Sequence, residues 1–279
     1  MRWINTRRLT WLVAHSALIV FAFFYSYPFL WMIASSLKGR SEFFGSGLSL
    51  LPKQLLWQNY LDAWHAARFS VYFMNTLFVT LVATGAVIIL TSMAGYALAN
   101  ANLFGRRVLV GLMLVTMFLP RGYTIIPIYD IVRSLGLLNT LWAVILVNVG
   151  TSMVFNTLLF MSYFSTIPKE IEDSARIDGA GFPRIFLVIA LPMAMPMIAT
   201  VGLFEFLDNW NSFFVPLVFT LGRPELRTLA VGIYGLVGES AAEWTLLCAA
   251  ATMSLLPSII LFVFLQRAFV NGIAGAIRG

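Results

Sequence analysis

Residues 167–196 read IPKEIEDSARIDGAGFPRIFLVIALPMAMP, the longest charge-dense stretch of a chain that is otherwise apolar. Pro168 suits a first helical position, where its missing N–H leaves no partner unsatisfied. Glu170, Glu172 and Asp173 follow, where the positive end of a helix favours acids. Glu172 precedes Arg176 by four residues, the favourable order for a side-chain pair. Gly179 and Gly181 then leave the helical region, and Pro183 opens a second helix. The first piece is expected to be about eleven residues, or roughly 16 Å, long. Ala175, Gly179 and Ala180 are small and would let a groove or another backbone approach. A short helix of this kind between apolar runs lies on a membrane surface, either as a plain solvated loop helix or as the place where a soluble partner grips the chain.

The rest of the composition fixes the class. Of 279 residues, 60% are hydrophobic and 11% charged, and the mean hydropathy is +0.87. A soluble domain carries about 25% charge, so this is an all-α integral membrane protein with length for about six spans. The net charge of +6 reflects basic residues scattered at span ends. Membrane lipid accounts for them better than nucleic acid does. Cys248 is the single cysteine, and His15 and His65 lie far apart. Neither a disulfide within the chain nor a cysteine or histidine metal centre is expected.

Taken in order, residues 1–10 form a short basic tail with Arg2, Arg7 and Arg8, and 11–36 form a first span, too long for a signal-peptide core. His15 near its inner end is expected to bond its own helix or to snorkel. Residues 37–69 are the longest hydrophilic segment and mix aromatic residues with charges, as interface loops do. A second span is expected over 71–97, with Gly95 and neighbouring alanines as a close-packing face. Arg106 and Arg107 mark a turn. A third span runs from Val108 to about Ile131, kinked at Pro120 and Pro127. The fourth, 140–163, holds Asn148, Thr151, Ser152 and Asn156, polar groups that ordinarily bond across helices. The fifth, 185–217, is broken by Pro192 and Pro196 and contains two acids, Glu205 and Asp208, where intramembrane acids are costly. Residues 219–243 read as a loop, Trp244–Gln266 as a sixth span, and 267–279 as a tail. With both ends cytoplasmic, ten of the eighteen Lys and Arg fall inside and eight outside.

Several stretches resemble one family. Glu172, Asp173, Ser174, Ala175, Asp178, Gly179 and Ala180 stand in the frame of the EAA loop of ABC importer permeases, roughly E-A-A-x-x-D-G-A, with Asp173 and Ser174 as mild departures. Leu51-Pro52 and Asn59-Tyr60 are similar to its first outer loop, FLPRGYTIIPIYDIVRSLGLLN at 118–139 to its third-span region, and Trp210-Asn211 with Pro216 to sugar-type permeases. The tail QRAFVNGIAGAIRG resembles that of the second permease subunit of sugar importers. The resemblance covers about residue 26 to the end. It implies the type I importer fold, six transmembrane helices with a cytoplasmic coupling helix, in which 70–266 form the core of five helices and 164–187 the coupling loop. It also implies four kinds of partner: a second homologous permease, an ABC ATPase dimer that binds ATP and Mg, a periplasmic or lipid-anchored substrate-binding protein, and lipid of the bacterial inner membrane. No cofactor is expected in this chain.

The motifs the chain lacks agree. There is no G-x-x-x-x-G-K-[ST], no G-x-S-x-G and no H-E-x-x-H. A transport subunit is therefore expected rather than an enzyme or an assembly factor. The candidate substrate pathway comprises Asn156, Glu205, Asp208, Asn209 and Asn211, and the substrate a sugar or a related polyol or sugar phosphate. The alternative is an ion-coupled secondary transporter in which Glu205 and Asp208, three apart on one helix, carry protons or Na⁺.

Overall fold

The computed structural model describes residues 2–45, 47–101, 103–119, 124–238 and 243–277, and side chains among them from Leu9 to Phe264 and at Gln266. The expected kink residue Pro120, its neighbour Arg121, the loop acid Glu239 and the side chains of Arg2, Arg7, Arg8 and Arg267 lie outside that set. Among the described residues the only regular structure is helical. The helices are α1 (Arg2–Ser36), α2 (Arg40–Gly45), α3 (Gln58–Ala66), α4 (Phe69–Asn100), α5 (Arg106–Thr116), α6 (Ile125–Ser134), α7 (Leu141–Phe164), α8 (Lys169–Ile177) and α9 (Phe182–Ile185). A π-helical turn, Phe186–Ala190, leads into α10 (Leu191–Met193), followed by α11 (Met195–Trp210), α12 (Phe214–Phe219), α13 (Leu229–Gly238) and α14 (Trp244–Ile277).

Four of these are long and apolar enough to cross a membrane: Leu9–Ser36, Phe69–Asn100, Leu141–Phe164 and Trp244–Phe264. A fifth span arises if the pair Phe182–Met193 and Met195–Trp210, bent by 74°, counts as one. The expected third span corresponds to α5 and α6. At 11 and 10 residues each is shorter than the roughly 20 residues a bilayer needs, and the residues between them are outside the described set. Pro127 lies in the first turn of α6, where proline is tolerated, so it does not bend that helix.

Three segments read as loops or tail are more ordered than expected. Residues 37–69 form α2 and α3. Residues 219–243 contain α13, because LAVGIYGLVG is an apolar run whose charged neighbours, Arg223, Glu225, Arg227 and Glu243, lie outside it. The backbone of α14 runs on as helix to Ile277.

The chain divides into two compact units. The first is residues 1–69 with 233–255. Here Ala63 of α3 packs against Ala249 and Ala250, with Tyr60, Leu236 and Met253 around them. The Asn59-Tyr60 pair ties the end of α1 down. Asn59 Nδ2 donates to the carbonyls of Ser36 (2.8 Å) and Lys38 (2.9 Å), and the Tyr60 and Ser36 hydroxyls are 2.7 Å apart. His15 bonds the Trp11 carbonyl one turn back, 2.8 Å away, as expected of a helix-bonded histidine.

The second unit is residues 70–232 with 256–279. Its core joins α4, α7, the segment 185–201 and Phe219, with Val79, Val87, Val144, Phe160 and Val201 among the buried residues. Thr140 caps α7 by accepting from the Ala143 N–H at 3.2 Å. Gly95 lets α4 meet α7, since a Cβ there would stand 2.6 Å from Phe160 Cβ and 2.8 Å from the Met161 nitrogen. Apolar side chains also crowd the exposed surface, including those of α1 from Leu9 to Ile33 and of α14 from Leu256 to Phe264. That is the pattern of helices whose solvent is lipid.

Candidate functional site: a surface helix and a polar cavity

The charged stretch forms α8, nine residues long and therefore about 14 Å. Pro168 sits one residue before it, with extended ψ of 129°. The C-terminus is a Schellman closure. The Gly179 N–H bonds the Arg176 carbonyl at 3.0 Å, and the Ala180 N–H reaches back to the Ala175 carbonyl at 2.9 Å. Gly179 has φ +82°, a left-handed conformation that costs an L-residue about 1–2 kcal/mol. Gly181 is extended, and Pro183 lies in the first turn of α9.

The helix has an inner and an outer side. Glu172 and Ala175 are buried, whereas Asp173, Ser174, Asp178 and Gly179 are exposed and Ala180 half-buried. Glu172 is the anchor. Its Oε1 accepts from Asn100 Nδ2 at the end of α4, 2.9 Å away, and its Oε2 lies 3.6 Å from Arg176. Arg176 is also 3.6 Å from Asp173, so the expected Glu172–Arg176 pair is one limb of a three-residue cluster. Beneath it the Tyr96 ring packs against Phe164, Phe182 and Phe186, with centroids 4.8–5.3 Å apart. Sequence reasoning did not single out Asn100 or Tyr96. An asparagine at the end of an apolar helix, next to a charge-dense segment, was the available signal.

The second feature is built by α7 and α11. Asn156 Nδ2 donates to the Ser152 carbonyl at 2.9 Å and to Glu205 Oε1 at 2.8 Å. Asn209 Nδ2 bonds the Glu205 carbonyl at 2.7 Å, and Asn148 Nδ2 donates to Asn209 Oδ1 at 2.7 Å. Asn156, Glu205 and Asn209 are 2%, 7% and 4% exposed. Buried polar groups at this depth require such partners. The ladder edges a cavity of about 890 Å³ whose wall includes Asn148, Asn156, Glu205, Asp208 and Asn211. The cavity thus brings together four of the five expected pathway residues. The fifth, Asn209, is held behind the wall by its bonds. Glu205 and Asp208 play different parts: Glu205 is enclosed in the ladder, and Asp208 is exposed. Asn148, expected only to bond across helices, does so and also lines the cavity.

α8 and the cavity wall are joined by one continuous run. From Gly181 the chain passes through α9, the π turn and α10, then turns by 74° at Ala194 into α11. Pro192 and Pro196 flank the bend. The Tyr163 hydroxyl of α7 donates to the Met193 carbonyl there, 2.9 Å away, and so partners a carbonyl at the break.

A multi-pass helical membrane protein with an exposed charged helix after its fourth expected span and a cavity edged by a polar ladder defines a membrane transport component. The chain belongs to the family of binding-protein-dependent transport system inner membrane components, whose model matches residues 88–275. It is 34% identical to the probable ABC transporter permease protein YurM of Bacillus subtilis (strain 168) over 277 residues, 98% of this chain and 91% of that one. It is 31% identical to the melibiose/raffinose/stachyose import permease protein MelC of the same organism over 281 residues, the whole of both chains. Among solved structures, one chain of a bacterial ABC transporter involved in the import of the acidic polysaccharide alginate matches with a TM-score of 0.80 and 26% identity, covering 95% of this chain and 98% of that one. The fold is that of a type I importer permease, and the chain is an inner-membrane ABC permease subunit rather than an enzyme. Nothing in the family or these relatives favours the ion-coupled alternative.

Proposed function

We propose that this chain forms half of the translocation pathway of an ATP-driven, binding-protein-dependent importer of a sugar or related polyol, and that 167–181 couples it to the ATPase. The observation that carries this is the two-sided α8. Its inner side is bolted to α4 through Glu172 and Asn100, and its outer side offers Asp173, Ser174, Asp178 and the glycine stop to solvent. A helix held this way passes a push from outside to the helices behind it. The run through α9, the π turn and α11 leads that push to the cavity wall.

In this reading a second permease completes the pathway. An ABC ATPase dimer, carrying ATP and Mg, docks on the cytoplasmic side where both termini also lie, and a substrate-binding protein docks outside. Closure of the ATPases drives the pathway from inward- to outward-facing, and hydrolysis resets it. The sugar assignment is supported by the relative whose name gives it the import of melibiose, raffinose and stachyose. The test is co-purification of the tagged chain with the products of its neighbouring genes, followed by ATPase assays with and without candidate sugars and the binding protein. A stable complex with stimulated hydrolysis is expected. A chain that purifies without any ATPase under several detergents would overturn the coupling role.

A further inference from the structure

We propose that the 890 Å³ cavity accepts ligands that donate hydrogen bonds, namely uncharged polyhydroxylated or ammonium-bearing glycosides, and rejects carboxylated or phosphorylated ones. This rests on the pathway reading above and narrows it to a chemical class.

The charge of the wall is one-sided. Among its described lining residues are two acids, Glu205 and Asp208, and no Lys, Arg or His. Glu205 takes up the Asn156 amide within the ladder, but Asp208 is exposed. An anion brought beside Asp208 in surroundings of reduced dielectric meets repulsion that water would otherwise screen.

The hydrogen-bonding polarity of the wall agrees, and it is an independent observation. Much of the donor capacity of this wall is directed into the protein. The amide nitrogen of Asn156 donates to the Ser152 carbonyl and to Glu205. Those of Asn148 and Asn211 donate to Asn209 Oδ1 and to the Leu207 carbonyl. The hydroxyls of Thr151 and Thr200 donate to carbonyls of their own helices. Asn148 and Asn211 each keep one further amide hydrogen and Ser212 its hydroxyl, but the carboxylate of Asp208, the amide oxygens of Asn148, Asn156 and Asn211 and the lone pairs of Thr151 and Thr200 outnumber them, so the balance offered to a ligand leans to acceptors. Sugar hydroxyls and ammonium groups supply the matching protons, whereas carboxylate and phosphate oxygens supply none.

The test reads the field of the cavity without needing to know the substrate. In the assembled transporter, with Cys248→Ala removing the native thiol, Ser212→Cys places a reporter on the cavity wall. Its modification rates with cationic (trimethylammonioethyl) and anionic (sulfonatoethyl) methanethiosulfonates are divided by the rates of the same reagents with glutathione. The cationic reagent is expected to be favoured about fivefold or more, and Asp208→Asn to bring the ratio toward unity. Asp208→Lys is expected to invert it. Labelling without bias, or a bias toward the anionic reagent, would overturn the proposal and leave the pathway reading standing. A reporter that neither reagent reaches in the complex would overturn the pathway reading itself, and the ligand class with it.

Discussion

At the scale of single residues, similar-looking positions carry different loads. Gly95 and Gly150 both lie in long apolar helices, but a Cβ on Gly95 would press within 2.6 Å of Phe160 Cβ, whereas one on Gly150 meets nothing within 4 Å. Gly95→Ala is expected to destabilise the folded protein by about 1–3 kcal/mol through overpacking. Gly150→Ala is expected to leave the detergent melting temperature within error, and a thermal-shift comparison checks both. The two acids of α11 divide in the same way. Glu205→Leu deprives the Asn156 amide of an acceptor and is expected to cost about 1–2 kcal/mol. Glu205→Gln, which keeps an acceptor oxygen, should cost less, and Asp208→Asn close to nothing. Equal losses at 205 and 208 in chemical denaturation would contradict the ladder.

At the scale of elements, α8 illustrates what a sequence discloses and what it withholds. Its existence was legible because Lys169–Ile177 is charged within an apolar chain and because Gly179 stops it. Which side faces inward was not. Glu172 and Asp173 are adjacent acids, and only the placement of Asn100, 72 residues earlier, turns one into an anchor and leaves the other exposed. Asn100→Ala and Glu172→Leu are expected to leave the ATPase bound but weaken the link between sugar and hydrolysis. The double variant should be no worse than the more severe single one, since both act through one bond. Additive losses of sugar-stimulated hydrolysis would show that the two residues act separately. The loops expected at 37–69 and 219–243 teach the converse. There the eye follows the charges, but Gln58–Ala66, which includes Asp62, and Leu229–Gly238, which lies beside its charged neighbours, are each short helices. No local signal separates a ten-residue apolar helix from an ordinary apolar loop segment.

At the scale of the whole molecule, the membrane class and the helical fold were written in the composition, because 11% charge cannot solvate a chain of this length. The number of crossings was harder to read. α5 and α6 are individually short, and the fifth span is bent by 74°. Orientation rests on a modest imbalance of Lys and Arg, ten against eight. It is checked directly by single cysteines in a Cys248→Ala background. Ser174→Cys is expected to react with an impermeant maleimide only in inside-out vesicles, and Glu225→Cys only in right-side-out ones. The reverse pattern would invert the topology and with it the side on which the ATPase docks.

The π-helical turn at Phe186–Ala190 has a bearing on how this chain tolerates length changes. Each such turn closes its hydrogen bonds over one residue more than an α-turn does, so the segment between α9 and α10 stores a spare residue. Deleting Val188, which is exposed, is expected to convert the bulge into plain α-helix while the flanking helices keep their phase, and the protein should still reach the membrane and assemble. Deleting one residue inside α11, such as Leu203, instead rotates everything before it by about 100° relative to Glu205 and Asn209 and should abolish assembly. A deletion scan from 182 to 210, scored by recovery of the intact complex, should therefore show a single tolerant window at the bulge. A scan without that window would mean that the extra residue is itself part of the machinery.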